Sequence, residues 1–285
     1  MIHASATSDN AAQIEYWNAA AGETWARFQD RLDHQLRPIG DEALRALDAK
    51  PGEAVIDIGC GCGETTFVLA DAVGPGGRAT GVDVSEPMLA VARARAGSEP
   101  SSRATFLAAD AQTGELGQRV YDAAFSRFGV MFFADPIAAF ANIKAALKPN
   151  GRLAFVCWRP LADNIWMRAP MEAAAAHLPP QPPMNPTAPG PFAFADSDRL
   201  RGLLAAAGFE DIDIAPFDVM IGGGDIAQTT ELAFRVGPLG AALRESPQSV
   251  DAVGNALRAL YQKHLTKEGV LMPAAVWIVR ARPGR

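Results

Sequence analysis

The spacing of apolar residues changes character along the chain, and each change predicts an element. Trp17, Trp25, Phe28, Leu32 and Leu36 follow one another at intervals of eight, three, four and four, which places them on one helix face. Pro38 is expected to break or kink that helix, with residues 41–47 resuming it until Lys50-Pro51-Gly52 ends it. From residue 54 short apolar runs alternate with helical patterns. Strands are expected at 54–59, 78–84, 104–109, 121–127 and 152–158, and helices at 64–72, 86–96 and 136–147. Ser85 and Asp135 suit helix N-caps, and Lys148-Pro149-Asn150-Gly151 reads as a turn before the fifth strand. This alternation predicts a parallel sheet with helices on both faces.

After Trp158 the pattern loosens. A short helix is expected at 166–177, followed by a proline-dense stretch within 178–191 that prevents regular pairing. A helix at 197–207 closes at Gly208, and 209–219 and 274–281 read as strands around a mostly helical stretch at 225–268. Gly222-Gly223-Gly224 reads as a flexible joint, as room for a close approach or, preferred here, as a simple turn, because no strand–helix context surrounds it for phosphate binding.

The candidate chemistry sits where the first strand ends. Val55-Ile56-Asp57-Ile58 runs into Gly59-x-Gly61-x-Gly63, and a helical pattern opens at Glu64. Glycines permit a sharp turn and a close ligand approach, and the free N–H groups of the helix favour an anionic group. The second strand ends in Asp83, placed to accept from two ribose hydroxyls, with Val84 beside it to pack on a base. Without a ligand, the same features would be a plain strand–turn–helix with Asp83 capping a helix. A dinucleotide turn reads G-x-G-x-x-G, whereas this one reads G-x-G-x-G with Glu-Thr-Thr after it.

In Asp57, Gly59, Gly61, Gly63 and Asp83 the chain resembles the class I S-adenosylmethionine-dependent methyltransferases, of the small-molecule type related to the quinone C-methyltransferase group. The resemblance implies a Rossmann-like, seven-stranded, mostly parallel sheet whose last strand inserts antiparallel between the fifth and sixth. It implies S-adenosyl-L-methionine as cofactor and S-adenosyl-L-homocysteine as product. It places Asp110 and Ala111 on the adenine, and Thr66 and Ser126 beside the methionine portion. It further implies that the segment 1–50 folds over a cofactor-binding core at 51–158. Residues 159–285 then complete the sheet and add cap insertions at 159–195 and 222–270. Each assignment has a structural alternative: Asp110 as a turn aspartate bonding its own backbone, Ser126 and Thr66 as hydroxyls at element ends, Trp17 and Trp25 as core rather than lid.

Bulk properties narrow the partners. The chain has 285 residues, is 49% hydrophobic and carries a net charge of −6. An acidic chain without a Lys/Arg-rich stripe is a poor nucleic-acid binder. No apolar run approaches a membrane span, and residues 1–10 lack the basic start and apolar core of a signal peptide. Three cysteines suit a reducing cytoplasm, and Cys60-x-Cys62 lacks the Cys/His cluster that would complete a metal site. If the acceptor must lose a proton, His34 and His177 are the candidate bases. Arg127, between apolar residues at the fourth strand end, could meet an anion in the substrate chamber or pair with a surface acid. A small-molecule acceptor is the expected partner. A nicotinamide-dependent oxidoreductase and a non-catalytic binding module are the competing readings.

Overall fold

Five consecutive buried residues, Ala54–Ile58, form the first strand, β1, covered on both sides as a strand inside a parallel sheet must be. The computed structural model describes residues 10–98, 103–180 and 185–284. Residues 1–9 and the middle of the proline-rich stretch, 181–184, lie outside the described residues, and with them most of the segment read against a signal peptide.

Around β1 the strands β2 (Arg78–Asp83), β3 (Ala104–Ala108), β4 (Tyr121–Arg127), β5 (Leu147–Trp158), β6 (Phe209–Gly222), β7 (Leu265–Thr266) and β8 (Gly269–Pro283) build the sheet. Its order is β3-β2-β1-β4-β5-β8-β6, with the two-residue β7 paired only to β8. The first five strands are parallel, and β8 lies antiparallel between β5 and β6. This is the expected seven-strand path with one short addition. The last two long strands extend beyond their expected bounds. The 148–151 turn is present as a bulge: Tyr121 pairs with Leu147 and Ala123 with Arg152, so Asp122 alone opposes four residues.

Before the sheet come α1 (Ala11–Asn18), α2 (Ala20–Arg27) and α3 (Gln29–Leu47). The breaks fall at Ala19 and Phe28, and α3 runs unbroken through Pro38. Of the break or kink expected at Pro38, the break does not occur, and Leu36, Ile39, Ala43 and Leu47 bury a continuous face across β4, β5, β8 and β6. Burial of about 1.5–3 kcal/mol per large side chain offsets one lost backbone bond.

Between the strands lie α4 (Glu64–Val73), α5 (Glu86–Ser98) and α6 (Pro136–Ala146). Asp135 caps α6 by accepting from Ala138 N at 3.0 Å. Ser85 does not cap α5 with its side chain: the hydroxyl donates to the Trp17 carbonyl, and Asn18 Oδ1 accepts from Glu86 N instead. Thus α1 supplies the cap of α5, a tertiary contact that local sequence does not encode.

Past the sheet centre lie α7 (Ile165–Ala174), α8 (Ser197–Ala206), α9 (Ile226–Ala233), α10 (Gly237–Glu245) and α11 (Val250–Gln262). Phe140 of α6 centres the core, with Phe155, Phe194 and Phe209 at ring distances of 5.6, 5.8 and 6.4 Å. Phe194 follows the proline-rich stretch, so the chain just beyond that irregular segment is fastened into the core. A second apolar cluster, including Leu239, Leu243, Val253, Leu257 and Tyr261, joins α7, α10 and α11 above β8. Fully buried Asn164 ties this cap to the sheet, exchanging hydrogen bonds of 3.0 Å with both backbone groups of Ala275.

The glycine triplet is more than a turn. A Cβ on Gly222 would lie 1.9 Å from Val270 O, and one on Gly223 would lie 2.5 Å from His34 Nε2. Residues 222–223 therefore mark a close approach between β6, β8 and α3.

Candidate functional site

A cavity of about 500 Å³ opens at the carboxyl ends of β1, β2 and β4 and continues under the cap. Its floor contains Gly59, Gly61, Asp83, Val84, Asp110 and Ala111, and Trp17, Trp25 and Arg127 also line it. These expected site residues come from five separate stretches of chain, and the topology brings them to one place.

The three glycines of the turn play different parts. All have positive φ, at 66°, 54° and 88°. A Cβ on Gly59 would fall 2.6 Å from Gly129 Cα, so the turn and the β4 tip touch backbone to backbone. A Cβ on Gly63 would strike the Phe106 ring at 2.7 Å, making this glycine one of packing rather than ligand approach. A Cβ on Gly61 meets nothing closer than Met88 Sδ at 3.6 Å. Gly61 is where the turn lies open to the cavity.

Four expected contact residues stand behind the wall and do not line it: Asp57, Gly63, Thr66 and Ser126. Asp57 Oδ2 accepts from both Thr65 Oγ1 and Thr66 Oγ1 at 2.7 Å, tying β1 to the first turn of α4. Asp57 Oδ1 is buried with no hydrogen-bond partner. Burial raises this carboxyl to about 6 against the two threonine hydroxyls and the Arg127 charge. Ser126 Oγ donates to Ile58 O at 2.7 Å and holds β4 to β1.

Asp83 lines the cavity with its acceptors half used. Oδ2 accepts from Gly61 N at 2.8 Å and Oδ1 from Ser85 N at 2.9 Å, which fixes the glycine turn against the β2 tip. An ionised carboxylate has about four lone-pair sites, leaving two for a ligand. Burial raises its pKa, opposed by those backbone N–H groups.

Asp110 fulfils its structural alternative while facing the cavity. Its Oδ1 accepts from Gln112 N at 2.9 Å, and Thr113 Oγ1 donates to Oδ2 at 3.1 Å. Asn10 Nδ2 also donates to Oδ1 at 3.1 Å, and Ala134 N donates to Asn10 Oδ1 at 3.3 Å. Asn10 thus bridges the segments that follow β3 and β4. It carries no sequence signal, since a lone asparagine before a helix reads as a cap.

The aromatic N-terminal segment is fixed over the same floor. Trp17 meets Trp25 and Phe132 edge-on at 6.0 and 5.0 Å, and Asn18 Nδ2 donates to Val84 O at 2.8 Å. Gly22 allows this closeness: a Cβ there would sit 2.0 Å from Trp17 O.

Arg127 pairs with an acid, but with a buried one in the cavity wall rather than one at the surface. It lines the cavity, and its Nη2 donates to Asp33 Oδ1 at 2.6 Å. Arg95 approaches Asp33 at 3.9 Å and binds Glu64 at 2.6 Å. Asp33 was not anticipated, because one acid on an amphipathic helix looks like solvent-facing polarity.

The two histidines are elsewhere. His34 and His177 are both exposed and neither lines the cavity, since α3 turns Asp33 and Leu36 inward and His177 ends the short turn after α7. Among the described residues no histidine lines it. Cys60 and Cys62 do, but burial pushes Cys62 up to about 12 and Cys60 well above its usual value, so both are neutral thiols. No group of three or more potential metal ligands occurs among the described residues.

The far walls are apolar and aromatic. Phe128 stacks on Trp158 at 4.2 Å and 12°, and Trp166 follows at 5.0 Å from Trp158. Phe128 adopts φ of 70°, a left-handed conformation costly for an aromatic residue and held here by the Gly59–Gly129 contact and the stack.

Residues 55–151 match the family model described as a methyltransferase domain. The nocamycin O-methyltransferase of Saccharothrix syringae is 30% identical over 118 residues, 41% of this chain and 42% of that protein. The aklanonic acid methyltransferase DauC of Streptomyces sp. (strain C5) is 32% identical over 127 residues, 44% of this chain and 58% of that protein. The chain spans about half the length of these curated relatives. Among solved structures, Haemonchus contortus phosphoethanolamine N-methyltransferase 2 in complex with S-adenosyl-L-methionine superposes with a TM-score of 0.54. It is 18% identical, and the match covers 87% of this chain and 53% of that one, a likeness of fold. Residues 55–151 thus match a methyltransferase domain and share the Rossmann-like fold of that solved methyltransferase.

Proposed function

We propose that this chain is an S-adenosylmethionine-dependent methyltransferase acting on a small or medium-sized, largely apolar acceptor. The observation that carries the reading is the continuity of one cavity from Gly61, Asp83 and Asp110 to the aromatic walls under the cap. The relatives named nocamycin O-methyltransferase and aklanonic acid methyltransferase support a small-molecule acceptor. The acidic charge of the chain speaks against nucleic acid. Three buried, unpaired cysteines fit a reducing cytoplasm, and no described helix is long and apolar enough to cross a membrane.

The residues present fit the cofactor. Gly61 leaves room for it, Asp83 keeps two acceptor positions for ribose hydroxyls, and Val84 offers an apolar face to the adenine. Asp110 and Ala111 would meet the adenine edge. Asp57, Gly63, Thr66 and Ser126 act from behind, holding the turn, α4 and β4 in register. When bound, the cofactor supplies a methyl group made electrophilic by its sulfonium.

The protein's own contribution is positioning and exclusion of water, which together account for several kcal/mol of barrier. Trp17 and Trp25 close the cofactor end, and Phe128, Trp158 and Trp166 shape the acceptor end. With no histidine in the described wall and both thiols neutral, the arrangement suits an acceptor acidic enough to lose its own proton. N-, O- and C-acceptors of that kind all meet this condition.

Isothermal titration with S-adenosylmethionine, S-adenosylhomocysteine and NAD tests the reading. Both sulfur nucleosides are expected to bind and NAD is not. Binding of NAD with neither sulfur nucleoside would overturn it in favour of an oxidoreductase, and binding without turnover on any acceptor would leave a non-catalytic module.

A further inference from the structure

Under the cap, the polar groups of the cavity wall are mostly committed. Arg127 is held by Asp33, and the Thr229 hydroxyl donates to the Asp225 carbonyl at 2.8 Å. Tyr261 is different. It closes the buried face of α11 after Val253, Gly254 and Leu257, and only 2% of it is exposed. It nevertheless lines the cavity, among Met167, Pro170, Leu239 and Met272. Its hydroxyl has no hydrogen-bond partner among the described residues, and it is not one of the polar atoms sealed within the protein.

A buried tyrosine hydroxyl normally finds a partner, because leaving it unpaired in apolar surroundings is unfavourable. The packing here satisfies the ring, and the residue that carries the unpaired oxygen lines the cavity. We propose that Tyr261 is an acceptor-positioning residue, whose hydroxyl donates a hydrogen bond to a carbonyl or comparable oxygen on a planar, otherwise apolar acceptor. The inference rests on the methyltransferase reading for the word acceptor, but the binding site itself stands without it. Burial raises the tyrosine well above its ordinary value, so the group stays a neutral donor. The α11 register sets this: Leu257 and Tyr261 share a face four residues apart, so the ring enters the cluster where α7 and β8 meet.

The probes are 2-acetylnaphthalene and 2-ethylnaphthalene, equal in shape but differing in one hydrogen-bond-accepting oxygen. Binding is read by tryptophan fluorescence in the presence of S-adenosylhomocysteine, with Trp158 and Trp166 as reporters. The wild-type chain is expected to prefer the ketone by about fivefold or more, and Tyr261→Phe to lose that preference while keeping its affinity for the hydrocarbon. Thermal unfolding of Tyr261→Phe should match or exceed the wild type, since no protein hydrogen bond is removed. An undiminished ketone preference in the variant, or failure of both probes to bind the wild type, overturns the proposal. Loss of S-adenosylhomocysteine binding in the separate titration would instead sink the methyltransferase reading and leave the ketone discrimination standing.

Discussion

Asp33 on α3 accepts a hydrogen bond from Arg127 at the β4 tip, Nη2 to Oδ1 at 2.6 Å, and their side chains are only 9% and 13% exposed. This pair joins the N-terminal helices to the sheet at the cavity's edge. Removing Asp33 leaves the Arg127 charge desolvated without its acid, and removing Arg127 leaves Asp33 with only Gln29 and the more distant Arg95. Asp33→Ala and Arg127→Ala should each lower stability by roughly 2–4 kcal/mol, and the double variant by less than their sum. Urea denaturation of the four species provides the cycle, and simple additivity would show the pair to be uncoupled.

Gly129 faces Gly59 with no space for a methyl group: its Cβ would sit 2.7 Å from both Gly59 Cα and Ile58 O. Gly129→Ala should destabilise by about 1–3 kcal/mol and displace the turn that Gly61 opens to the cavity. Gly97→Ala in α5 is the control, since nothing lies within 4 Å of a Cβ there. That change should stabilise by about 0.5–1 kcal/mol. Equal effects in thermal unfolding would contradict the contact argument.

Asp83 holds Gly61 N and Ser85 N while keeping acceptor capacity for a ligand. Asp83→Ala should weaken S-adenosylhomocysteine binding by about tenfold or more, as measured by calorimetry. Asp57→Asn, one wall further back, should weaken it much less. An unchanged affinity in Asp83→Ala sinks the ribose assignment.

Asp57 gives a pH signature with a defined sign. Burial raises its folded value to about 6, above the ordinary 3.8. Between those values the native state binds more protons than the unfolded chain, so the group's contribution to stability falls as pH rises from about 4 to 6. Above that range it persists as a penalty. Asp57→Asn removes the titration, so its stability relative to wild type should improve between pH 4 and 7 by up to roughly 3 kcal/mol. Urea unfolding at several pH values reads this directly, and a difference independent of pH would refute it.

The fold was legible because its signals are local. Apolar runs alternating with helical patterns implied the parallel sheet, and Asp83 and the glycine turn marked the edge where the cavity opens. What resisted reading was pairwise. Pro38 looked like a break because the strands that α3 covers are distant in sequence. Ser85 looked like a cap because Asn18, the true cap of α5, belongs to another helix. Gly63 resembled its two neighbours in the motif, and only the position of Phe106 separates their roles.

The sequence by itself determined the edge on which the cavity opens: a strand ending in Gly59-x-Gly61-x-Gly63, an acid at the next strand tip, and an aspartate after the third. Backbone conformation imposes those residue types, and they recur at short range. The tertiary structure alone decided which of them face the cavity, that Arg127 is held by Asp33, and that Tyr261 brings an unpartnered hydroxyl among apolar walls. Those outcomes depend on distances between elements far apart in the chain, 94 residues for Asp33 and Arg127, which follow from the packing of faces and leave no periodic trace.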